Sequence, residues 1–180
     1  MGEFQGIVTH QTVGDADFEK MMAMPPQDIA EWARVGVNIV KDQHSIYKNM
    51  ARSMADNIIN NNQKGSPTKM ILPVGPTPQY PMLADILNAE QVDLSQWWIF
   101  FMDEYMDWEG RLIAPDHPMS FRGYMKGALF NRLDKKLGLN EGQIVWPDPV
   151  NLDYNLDMIE KLGGIDVCYG GLGYHGHIAF

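Results

Sequence analysis

The spacing of apolar residues changes near residue 68. Before that point Ile29, Trp32, Ala33, Val37 and Val40 share one helical stripe, and Tyr47, Met50, Met54 and Ile58 continue at the same period. Pro25-Pro26 precedes the stripe, and Asn60-Asn61-Asn62 with Gly65-Ser66-Pro67 follows it, so one long helical segment is expected, with a bend or close contact at Gly36. From Lys69 onward, short apolar runs alternate with longer helical patterns. Strands are expected at residues 70–72, 97–102, 144–146 and 165–169, and helices at residues 78–88, 121–137 and 152–162. The run Trp97-Trp98-Ile99-Phe100-Phe101-Met102 is apolar at every position, as suits a strand covered on both faces.

This alternation predicts an α/β fold, a three-layer αβα sandwich around a mainly parallel, Rossmann-like sheet. Residues 1–24 carry few core signals and are expected to be an irregular N-terminal segment. Residues 25–180 are expected to form one α/β domain, since no repeat, linker or low-complexity tract interrupts them.

Composition narrows the classes of function. The 180 residues are 45% hydrophobic and 21% charged, which suits a globular domain with a sizeable core. A formal net charge of −9 argues against nucleic acid as a partner, because phosphate backbones need a basic footprint. No apolar run approaches the roughly eighteen residues of a membrane span, and the first residues lack the basic-then-apolar order of a signal peptide. Cys168 is the one cysteine, so an internal disulfide and a cysteine metal cluster are both excluded. A cytoplasmic location is the simplest expectation.

Three of the four expected strands end in loops that carry candidate chemistry, and a parallel sheet would gather those loops on one edge. The first is Pro73-Val74-Gly75-Pro76-Thr77-Pro78, with Thr77 read as a helix N-cap and Pro78 as the first helical residue. Such a helix start can hold a phosphate, and it can equally be a plain capped turn. The second is Met102-Asp103-Glu104-Tyr105, two carboxylates at the mouth of an apolar strand. Asp103 there can act as a base, or the pair can be a solvated turn or a helix cap. The third is the glycine-rich end of the chain, Gly170 to Gly173 followed by His175, Gly176 and His177. Those histidines can be acid/base groups, metal ligands or bystanders. With no further ligand cluster evident, no metal is expected.

Taken together, Leu72-Pro73-Val74-Gly75-Pro76-Thr77-Pro78, Met102-Asp103-Glu104-Tyr105, His117-Pro118-Met119-Ser120-Phe121, Gly170-Gly171-Leu172-Gly173 and Gly176-His177-Ile178-Ala179-Phe180 resemble the glucosamine-6-phosphate deaminase/isomerase family, which is related to the 6-phosphogluconolactonases. The resemblance implies an enzyme that converts a 2-amino-2-deoxyhexose 6-phosphate to a ketose 6-phosphate plus ammonia, without metal or organic cofactor. It implies Asp103 as the base between C1 and C2, His177 as the residue that assists ring opening, and His175 beside it. Gly75, Pro76, Thr77, Glu104 and Gly171 would bind the substrate and its phosphate. It also implies a homo-oligomer with a small sugar phosphate as partner.

Three departures from the family pattern stand out. His175 occupies a position where the family has Asp. Pro76, which has no N–H, stands where the family has Gly or Ser. The family's continuation after the final phenylalanine has no counterpart here, so a C-terminally incomplete domain is expected. Two other readings suit the same residues: a non-catalytic sugar-phosphate binding protein, and a 6-phosphogluconolactonase-type hydrolase.

Overall fold

The computed structural model describes residues 15–172, which divide into two units after Asp42. The first unit holds α1 (Asp15–Met22) and α2 (Pro26–Trp32). A helix therefore stands within the stretch expected to be irregular. Ala16, Glu19 and Lys20 all favour helix, and Lys20 in the last turn suits the helix dipole. Pro26 takes the first turn of α2, where its missing N–H costs nothing.

The long helix expected across residues 26–58 is two helices. It breaks after Trp32 and resumes as α3 (Gln43–Gln63) in the second unit. The intervening Val35-Gly36-Val37-Asn38-Ile39-Val40 combines a glycine with β-branched residues, all weak helix formers. Trp32, Val35 and Ile39 are exposed, so no packing supports a continuous helix there.

The second unit builds the sheet. Its strands are β1 (Thr68–Leu72), β2 (Trp97–Phe101), β3 (Ile144–Val145) and β4 (Val167–Cys168), in the order β3-β2-β1-β4. All pairings are parallel: Thr68 to Leu72 run beside Trp97 to Phe101, Met70 pairs with Val167 and Ile99 with Ile144. Between the strands lie α4 (Gln79–Ala89), α5 (Phe121–Ala128) and α6 (Tyr154–Lys161). The helix expected over 121–137 stops at Ala128 and continues as 3-10 turns at Phe130–Arg132 and Lys135–Leu137. Gly138, left-handed at φ 85°, closes the second of these turns.

The order 3-2-1-4 fixes the layers. β1 to β2 and β2 to β3 step in one direction, and β3 to β4 returns past both. Right-handed crossovers therefore set α4 and α5 on one face and α6 on the other, a three-layer α/β sandwich. The core joins Met54 and Ile58 of α3, Met70 and Leu72 of β1, Leu83 and Leu87 of α4, Trp97 and Ile99 of β2, and Met125 of α5. Each such side chain contributes on the order of 1.5–3 kcal/mol by leaving water.

Reversal of direction between β1 and β4 makes their C-terminal ends the topological switch point, where open α/β sheets leave a crevice. The sheet must hold that edge rigid. Ile99 is fully buried at the middle of β2, paired on both sides. Ile99→Ala is expected to lower unfolding free energy by about 2–5 kcal/mol in urea titration, with little change in the denaturant slope.

Candidate active site

The β1 exit is a proline- and glycine-containing turn held by the first residues of α4. The Tyr80 hydroxyl donates to the Pro73 carbonyl, and Gln79 Nε2 donates to the Pro76 carbonyl at 2.5 Å. Both side chains are fully buried. Burial pushes the Tyr80 phenol well above its ordinary pKa, and the nearby Asp103 charge adds to the rise. Gln79 Oε1 is buried and bonds no described residue. The helix begins one residue later than read from the sequence: Pro78 already has helical dihedrals, and no side chain caps α4. Thr77 contributes through its carbonyl, which accepts from the Tyr80 N–H at 3.1 Å, and not through its hydroxyl. Gly75 is exposed and Thr77 half-buried, and their N–H groups donate to no described residue.

The β2 exit carries two adjacent carboxylates in opposite environments. The Glu104 side chain is 0% exposed. Its Oε1 accepts from Phe121 N at 2.8 Å and Tyr105 N at 2.9 Å. Its Oε2 accepts from Arg122 N at 2.8 Å, Arg122 Nε at 3.1 Å and the Ser120 hydroxyl at 3.1 Å. Burial alone would raise this carboxyl. The Arg122, Phe121 and Tyr105 N–H groups and the Ser120 hydroxyl outweigh it and hold the pKa below the ordinary glutamate value. Helix α5 thus receives an anion at its N-terminus from a residue far back in the sequence. Ser120 also caps the helix, accepting from Gly123 N at 3.2 Å.

Asp103 has no such partners. It is half-buried, and its Oδ1 is buried and bonds no described residue. Burial, then the neighbouring Glu104 charge, raises its pKa above the ordinary aspartate value. The two adjacent carboxylates are therefore shifted in opposite directions, Glu104 down and Asp103 up. Divergent pKa values in a carboxylate pair are the usual sign of divided roles.

The β4 exit closes on the β1 exit. A Cβ on Gly171 would meet Pro76 Cδ at 2.6 Å and the Gly75 carbonyl oxygen at 3.1 Å, so only glycine permits this approach. A Cβ on Gly170 would lie 3.8 Å from Met102 Cε, the residue before Asp103. The structure thus brings Gly75, Pro76 and Gly171 into contact at the switch point, and places Asp103 near Tyr80 of the same edge. Glu104 turns to α5, and its oxygens are taken there. His175 and His177 lie outside the described residues. Among the described residues, no group of three or more His, Cys, Asp or Glu side chains converges as a metal site, and no helix is long and apolar enough to cross a membrane.

Tyr80, Gln79 and Arg122 were not found by motif reading, and Ser120 stood in a motif without a role. Ser120 three residues before Gly123 suggests a cap, but nothing in the sequence links Arg122 to Glu104.

No family model matches the chain. A glucosamine-6-phosphate deaminase of Rhodopirellula baltica is 30% identical over 152 residues, covering 81% of this chain and 56% of that protein. One from Vibrio cholerae is 34% identical over 114 residues, covering 61% of this chain and 41% of its own length. The chain spans about half the length of the curated relatives it matches. Two solved structures share the fold. A monomeric glucosamine-6-phosphate deaminase matches with a TM-score of 0.60 at 22% identity, over 77% of this chain and 56% of that one. A 6-phosphogluconolactonase from Thermotoga maritima matches with a TM-score of 0.60 at 18% identity, over 79% of this chain and 62% of that one.

The Glu104 clamp makes a stability prediction with a defined sign. A lowered folded pKa contributes stability that is present above the ordinary glutamate pKa of about 4.3 and lost as pH falls through the lower folded value. Glu104→Gln removes the charge and leaves some of these donors poorly matched. It is expected to cost about 2–4 kcal/mol at pH 7 by denaturant titration, with a smaller cost at pH 3. Equal costs at both pH values would contradict the clamp.

Proposed function

We propose a function from one premise: the chain belongs to the glucosamine-6-phosphate deaminase/isomerase family. The proposed activity is conversion of a 2-amino-2-deoxyhexose 6-phosphate to a ketose 6-phosphate with release of ammonia. The observation that carries this reading is Asp103, a carboxylate at the edge of the sheet with a buried oxygen that bonds no described residue and a raised pKa.

In the proposed mechanism the sugar phosphate lies across the switch point between β1 and β4. The free N–H groups of Gly75 and Thr77, at the start of α4, hold its phosphate. Pro76 supplies no N–H, so the turn offers fewer donors than a glycine would. Gly171 lets the β4 exit close over the turn. His177 assists ring opening by moving a proton at the ring oxygen, with His175, two residues earlier in the sequence, in support. Asp103 then takes the C2 proton of the open-chain aldehyde and returns a proton at C1. The 2-amino group passes to a C2 imine, and water hydrolyses this to the ketone and ammonia. A partly desolvated carboxylate favours this step, because its raised pKa makes it a stronger base than a solvated one.

The test is ammonia release from a panel of 2-amino-2-deoxyhexose 6-phosphates. Asp103→Asn is expected to lower kcat by about 10²–10⁴-fold with KM changed far less. The acid limb of kcat/KM is expected above the ordinary aspartate pKa of about 3.9, with activity falling as Asp103 takes up its proton. Unchanged ammonia release in the variant would remove Asp103 from the reaction. Tight sugar-phosphate binding with no ammonia from any sugar would favour a binding protein.

A further inference from the structure

A cavity of about 600 Å³ lies between α5, the 3-10 turns and the end of β3. None of Gly75, Thr77, Asp103 or Gly171 lines it. Its size falls within the range of small-molecule sites.

The apolar part of its wall includes Phe130, Ile144 and Trp146. The Trp146 ring stacks on Phe101 at 3.7 Å between centroids and 8° between planes. One face of the indole is therefore held by the core, which fixes the ring as a wall of the cavity. Three cations line the same space: Arg122, Lys126 and Lys135. Arg122 uses Nε for Glu104 and Nη2 for the Ile113 carbonyl, at 2.6 Å, while Nη1 bonds no described residue. Lys126 and Lys135 pair with no described acid. Two acids, Asp134 and Glu141, also line the cavity. The lining therefore carries three cations against two acids, a slight positive balance in a chain of net charge −9, and the two lysines pair with no described acid.

We propose that this cavity binds a phosphomonoester carried on a flat ring, at a site distinct from the switch point between β1 and β4. The ring lies against Trp146 and its apolar neighbours. The phosphate takes Arg122 Nη1 and the two lysines, which attract it as point charges while the guanidinium orients it. The inference goes beyond the deaminase reading and does not depend on it.

Isothermal titration calorimetry of the full chain with 1-naphthyl phosphate tests the proposal. One saturable site is expected, with 1-naphthol and inorganic phosphate each at least tenfold weaker. Lys126→Glu with Lys135→Glu is expected to weaken binding at least tenfold. Both lysines are exposed, so the double variant is expected to keep the far-ultraviolet circular dichroism of the parent. A saturating 2-amino-2-deoxyhexose 6-phosphate is expected to change the probe's affinity less than twofold. Failure to saturate at millimolar probe, an unchanged affinity in the double lysine variant, or displacement of the probe by that sugar phosphate would each overturn the proposal.

Discussion

Glu104 ties the exit of β2 to the start of a helix that begins 17 residues later. Its carboxylate takes five donors, most of them from Ser120, Phe121 and Arg122 at the N-terminus of α5. The loop between can then vary without moving the strand exit, because both of its ends are fixed to one buried anion. The cost of burying that charge is offset by charge-assisted hydrogen bonds and the helix dipole. Asp103, the preceding residue, is oriented by this clamp and left out of it. Its proximity to a second negative charge is also part of what raises its own pKa.

The second constraint is topological. Strand order reverses between β1 and β4, and the two exits meet there with no room for a side chain at Gly171. On the β1 side the turn is braced from below by Tyr80 and Gln79, both buried in the first turn of α4. The N–H groups of Gly75 and Thr77 in that turn donate to no described residue, which is what the proposed phosphate site uses. In a chain with net charge −9, attraction of an anionic substrate has to be local.

Much of the sheet was legible in the sequence, because buried parallel strands leave continuous apolar runs such as Trp97 to Phe101. Their bounding glycines and prolines mark the exits. The N-terminal half of the helical pattern misled beyond Trp32, since Val37 and Val40 keep the period of α2 where the chain is no longer helical. Periodicity reports what a segment could bury, and Val35 to Val40 buries too little to overcome the preferences of β-branched residues and Gly36. At the site, the sequence exposes Asp103 and Glu104 as an adjacent pair but cannot separate them. Their difference arises from Phe121 and Arg122, which are remote in sequence and brought near by the fold. The same is true of Gly171, whose need for glycine comes from Pro76 in the turn after β1.

The central claim is that the fold pushes two neighbouring carboxylates apart in acidity, Glu104 down and Asp103 up. The direct measurement is a pH titration of the side-chain carboxyl carbons by 13C NMR, with Asp103→Asn and Glu104→Gln to assign the two signals. The account predicts a Glu104 midpoint below the ordinary glutamate value and an Asp103 midpoint above the ordinary aspartate value. An Asp103 midpoint at or below that ordinary value, with Glu104 titrating normally, would contradict it.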